Sequence, residues 1–121
     1  MEELKKAIAF REKSEFSKAE NIFKELIKSH TENKNVHYQY AWLLDNLGKE
    51  KEAIKHYTLA IKHGLAGNEL ADCFLGLGSS YRMLKDYKKS IQVFLEAINI
   101  FPNNNELKLF LSFTYFENNE C

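Results

Sequence analysis

An all-α array of repeated helix pairs is the fold this sequence predicts, and three observations predict it. Only one proline and five glycines punctuate 121 residues. Long stretches carry apolar residues at three- and four-residue spacing, the period of a helix with one buried face. A short signature also recurs: Ala19-x-x-x-Phe23 and Ala53-x-x-x-Tyr57 stand 34 residues apart, and Ser90-x-x-x-Phe94 follows. Self-similarity at such a period marks stacked supersecondary units, none of which can bury its apolar face alone.

The spacing predicts seven helices, at about 2–13, 16–29, 34–47, 50–63, 69–83, 87–100 and 104–117. The first opens on the charged, periodic run Met1 to Lys6. Ser14, Gly48 and the Lys85-Asp86 step mark the tight turns inside the pairs, and Gly48 suits a helix C-terminus because it tolerates positive φ. Asn103 is the expected cap of the last helix, with Glu106 three residues on. Ala7, Ala41, Gly78 and Ser112 fall at one equivalent place near the middle of each first helix, at spacings of 34, 37 and 34 residues. All four are small, as a close helix crossing demands. Phe10, Leu44, Tyr81 and Tyr115 follow three residues later and are expected to fill the space beside that crossing. Phe23, Tyr57 and Phe94 do the same on the second helices. The longer middle spacing places three extra residues within 63–68, as a longer connection or an extended start to the fifth helix.

Composition narrows the class of partner. Lys plus Arg is 17 and Asp plus Glu is 17, so the formal net charge is zero. A nucleic-acid or membrane surface wants a concentrated positive face, and the basic runs here are short and interleaved with acids. No segment has the length of a membrane span or the apolar core of a signal peptide. Two cysteines, Cys73 and Cys121, make no disulfide framework, so a cytoplasmic location is expected, with Cys121 an exposed terminal thiol prone to artefactual dimers.

The segment Phe74-Leu75-Gly76-Leu77-Gly78-Ser79-Ser80-Tyr81, followed by Ser90, Phe94, Ala97 and Pro102, resembles the tetratricopeptide repeat pattern. The resemblance extends over nearly the whole chain and is best in the second halves of the units. Lys6 replaces the usual Leu, His37 and Phe74 stand where Trp is common, and Thr31 and Leu65 stand where Pro is common. It implies a single domain over 1–121: a right-handed superhelical α-solenoid with repeats at about 1–33, 34–67 and 71–104 and a closing helix at 105–117.

In that family the first helix of each pair lines a concave side. The resemblance therefore implies a peptide-binding groove of Leu4, Ile8, Arg11, Tyr38, Gln39, Trp42, Asp45, Leu75, Arg82 and Met83. Many relatives hold a carboxylate there with basic residues and Asn. Here the corresponding places carry Leu4, Ile8 and Asp72, which cannot do so. An apolar stripe edged by a few polar groups suits an amphipathic helix or an extended apolar peptide. Tyr38 leans to inter-repeat packing and Trp42 to partner contact. The implied function is a non-catalytic scaffold holding another protein. The closing helix is apolar over so much of its circumference that Leu109, Phe110, Phe113 and Phe116 offer a self-association face for a homodimer.

No catalytic set is expected. The four histidines form no His-x-x-x-His, and no Cys-x-x-Cys, phosphate loop or nucleophile elbow occurs. Gly76-x-Gly78 lies inside a helix as a packing feature, and Cys73 reads as a small half-buried helix residue. No metal site and no cofactor are implied.

Overall fold

The computed structural model describes residues 1–120, and over them the chain is helical with short turns. The order is α1 (Glu2–Glu12), α2 (Phe16–Ser29), α3 (Lys34–Asn46), α4 (Glu50–Lys62), α5 (Gly67–Met83), α6 (Tyr87–Ile100) and α7 (Asn105–Glu120). The expected all-α helical-repeat class holds, and most helix ends fall within a residue or two of the expected positions. The three extra residues partly lengthen α5, which starts at Gly67 and runs for 17 residues. The expectation for Cys121 lies outside the described residues.

Four turns close in one way. After α1, Ser14 takes φ +61, and the amides of Ser14 and Glu15 return to the carbonyls of Arg11 and Phe10. Gly48, Gly64 and Lys85 repeat the move after α3, α4 and α5, each at positive φ. This paired bonding caps the last carbonyls of a helix and reverses the chain within a few residues. Side chains cap the N-termini of α3 and α6: Asn33 Oδ1 accepts from the amides of Asn35 and Val36, and Asp86 Oδ1 from that of Lys89. For α7 the cap is Asn104, whose Oδ1 accepts from the Leu107 amide at 3.0 Å, and not Asn103 as the spacing suggested. Pro102 begins the turn one residue earlier than a cap at Asn103 would need.

The chain divides into two compact units, residues 1–65 and the remainder from Ala66. In the first, α2 packs on α1, α4 packs on α3, and α2 also packs on α3. Its core holds Ala7, Ala19, Phe23, Val36, Ala41, Leu43, Leu44 and Ala53, all fully buried. In the second, α6 packs on both α5 and α7, around Cys73, Phe94, Ala97, Leu107 and Thr114. The small residues Ala7, Ala41 and Gly78 sit in helix seams as expected. Ser112 does not: it is exposed, and Tyr115 is 43% exposed, because no described helix covers that side of α7. The buried residues of α7 are Leu107 and Thr114, which lie on its α6 side; Thr114 Oγ1 is 3.3 Å from Ser90 Oγ.

Candidate functional site

In the first unit, α1 and α3 lie side by side and bring the groove residues of that half together. Tyr38, Trp42 and Asp45 recur one helical turn apart on α3, so their side chains share a face. Gln39 is next to Tyr38, and Arg11 reaches across from α1. Arg11 Nη1 donates to Gln39 Oε1 at 2.6 Å and to the Gln39 carbonyl at 3.1 Å. Its guanidinium carbon lies 4.2 Å from the centroid of the Trp42 ring. Arg11 is only 5% exposed, and burial lowers its pKa from the ordinary value, with the nearby Glu12 charge opposing. An arginine so placed stays charged and binds the indole by a cation–π contact worth about 0.5–2 kcal/mol.

Trp42 itself remains 44% exposed. Tyr38 is buried, its ring 6.0 Å from Trp42 and 6.4 Å from Tyr57. Asp45 is half-buried and accepts from the Tyr57 hydroxyl at 2.9 Å. Burial raises its carboxyl pKa, the Tyr57 bond pulls it down, and Glu50 adds a smaller upward push. Asp45 is therefore tied to α4 rather than acting as a surface charge. Leu4 and Ile8 are half-buried on α1.

In the second unit, Leu75 and Arg82 of α5 are half-buried and Met83 is 60% exposed. Arg82 Nη1 pairs with Glu117 Oε1 at 2.7 Å, and its guanidinium lies 5.8 Å from the Phe110 ring. Phe110 stacks on Phe94 at 6.4 Å and meets Phe113 edge-on at 5.6 Å. Leu109, Phe113 and Phe116 of α7 stay largely open, Phe116 at 65%. An ion pair and the half-buried Phe110 ring thus fix α7 while leaving three large apolar side chains exposed.

One cluster escaped the sequence reading. His37 Nδ1 is 2.9 Å from His56 Nδ1, and His37 Nε2 is 2.7 Å from the Thr31 carbonyl. A carbonyl only accepts, so His37 carries its proton on Nε2, and a single proton is shared between the two facing Nδ1 atoms. His63 stacks on His37 at 6.0 Å, and Tyr40 tilts on His56 at 4.8 Å. Burial first, then the charges of His37 and Lys55, lower the His56 pKa from 6.5 to about 4. The signal available was His37 at a place where a large aromatic is common. Among the described residues no group of three or more His, Cys, Asp or Glu is arranged to hold a metal ion. Cys73 is buried, and burial raises its thiol pKa from 9.0 to about 12, so it stays protonated at neutral pH. Among the described residues no helix is long and apolar enough to cross a membrane.

Two sequence patterns described as tetratricopeptide repeat match residues 35–62 and 71–104, between them just over half of the chain. No curated protein sequence matches. Among solved structures, the Arabidopsis OM64 TPR domain superposes with a TM-score of 0.81 at 21% identity, covering 93% of this chain and 90% of that one. The second TPR domain of human RPAP3, solved in complex with the HSP70 peptide SGPTIEEVD, gives 0.82 at 19% identity, covering 93% and 92%. YrrB, described as a TPR protein with an unusual peptide-binding site, gives 0.81 at 16% identity over 93% of this chain but 56% of its own. At these identities the likeness is one of fold.

Proposed function

This chain belongs to the tetratricopeptide repeat family, whose members are in general non-catalytic protein-interaction modules, and we propose that it holds a peptide or amphipathic helix of another protein on the faces of its first helices. In this reading the repeats run at about 1–33, 34–67 and 71–104, closed by 105–117, and the chain is a scaffold and not an enzyme. The observation that carries it is Trp42. A large ring is locked in place by a buried guanidinium, yet nearly half of it is open to solvent. A pre-ordered aromatic loses little freedom on binding, and such residues dominate interface energetics. Leu4 and Ile8 extend the apolar surface along α1, and Gln39 and Asp45 border it.

The guest favoured by this surface is apolar along one side. The RPAP3 domain holds a peptide, which supports peptide capture as a use of the same fold. Panning a displayed library of amphipathic peptides tests the reading. Recovered peptides should bind the intact chain and lose at least tenfold in affinity to Trp42→Ala. Peptides indifferent to that change would refute it.

A second reading rests on the open side chains of α7. Leu109, Phe113 and Phe116, with Phe110 beneath them, form an apolar face that a second copy could cover. Light scattering over a wide concentration range decides it, since a strict monomer throughout removes the homodimer.

A further inference from the structure

Arg11 and Arg82 differ in how their charge is answered. Arg82, in the second unit, has Glu117 Oε1 at 2.7 Å. Arg11, in the first, is 5% exposed and pairs with no carboxylate among the described residues. Its Nη1 makes two hydrogen bonds, both to the neutral acceptors of Gln39. Its other N–H groups, on Nε and Nη2, meet no acceptor among the described residues. The nearby acids do not serve. Asp45 takes the Tyr57 hydroxyl, and Glu12 is exposed and acts on Arg11 only through space. A guanidinium does not shed its proton, and a buried charge with no opposite charge is costly to keep. The contact with the Trp42 indole offsets only part of that cost.

Resting on the groove reading above, we propose that the guest supplies the missing charge: it sets one Asp or Glu side chain against Arg11, beside an apolar residue on Trp42. Position gives the pattern. Arg11 follows Leu4 and Ile8 at one-turn steps on α1, about 10 Å along the axis from Leu4. A guest helix lying along α1 therefore carries two apolar residues a turn apart, for Leu4 and Ile8, and its acid one turn further on. Such an acid fixes which way round the guest lies, because only one end of this apolar surface holds the guanidinium.

The probe is a displayed set of helical peptides. Two positions a turn apart vary among Leu, Ile, Met and Phe, and the positions one turn beyond them, on either side, vary among Glu, Gln, Lys and Ser. Panning on the full chain should enrich Glu on one side only. Replacing that Glu by Gln in a synthetic peptide should weaken binding at least tenfold by fluorescence anisotropy. The loss should persist in about 1 M sodium chloride, which screens exposed lysines but spares a buried pair. On Arg11→Met the Glu and Gln peptides should bind alike. The Glu-to-Gln comparison is made on the guest, so it decides the matter even if Arg11→Met fails to fold. Peptides that need Trp42 but enrich no acid, or in which the replacement is silent, overturn this inference and leave the groove reading standing. A loss that salt abolishes also overturns it, because an exposed lysine would then be the partner. Peptides indifferent to Trp42→Ala refute the groove reading and this inference with it.

Discussion

A Cβ built on Gly78 would lie 2.5 Å from Cζ of Phe94 and under 3 Å from both neighbouring ring carbons. Phe94 is fully buried and stacked on Phe110, so its ring has nowhere to retreat. Overpacking of a filled site typically costs about 1–3 kcal/mol. Gly78→Ala should lower stability by that order despite the better helix propensity of alanine, and urea denaturation measures it. Ala41, the equivalent residue of α3, already carries the methyl, so a matching loss is not expected from a glycine there beyond about 1 kcal/mol.

Ser14 and Lys85 occupy left-handed backbone that Gly48 and Gly64 adopt without penalty. A side chain there costs about 1–2 kcal/mol, partly offset by the entropy glycine loses on folding. Ser14→Gly and Lys85→Gly should each stabilise by roughly 0.5–1 kcal/mol. Gly48→Ala should destabilise although nothing lies within 4 Å of the added carbon. Thermal melts of the three variants check the signs, and an unchanged Gly48→Ala would contradict the account.

Acid should weaken the first unit through His56. The unfolded residue takes up its proton near pH 6.5, whereas the folded one does so only at about 4. Between those values the unfolded chain binds more protons, so stability drops as pH falls through the window and levels below it. For a side chain this deeply buried the loss is about 3 kcal/mol. His56→Phe should be less stable at neutral pH, having left His37 short of a partner, but should show a flatter slope between pH 6.5 and 4. Equal slopes in urea titrations would remove His56 as the cause.

Arg11 and Trp42 should separate folding from binding. Trp42→Ala removes an open ring and should lower the melting temperature little while costing a captured peptide tenfold or more. Arg11→Ala leaves Gln39 without its donor and a void beneath the indole, and should cost about 2–3 kcal/mol of stability. A Trp42→Ala chain that unfolds as readily as Arg11→Ala would make the indole a structural residue.

The helices and their small-residue seats were legible because both follow from local periodicity. Ala41 and Gly78 had to be small wherever a helix crosses closely. What failed depended on neighbours. Ser112 satisfies the same local pattern as Gly78, but a pattern does not reveal whether the helix it anticipates is there. Asn103 and Asn104 have equal propensity to cap, and the turn begun at Pro102 decides between them. The His37–His56 pair joins two helices 19 residues apart, and no spacing within either helix announces it.

Trp42 is the chain's sole tryptophan, and its partner across the cation–π contact belongs to a different helix. Its intrinsic fluorescence is therefore an unlabelled gauge of one junction. Detaching α1 from α3 would strip the guanidinium from the indole and shift the emission even if every helix stayed wound. The chain thus carries its own optical probe of whether its leading hairpin is docked.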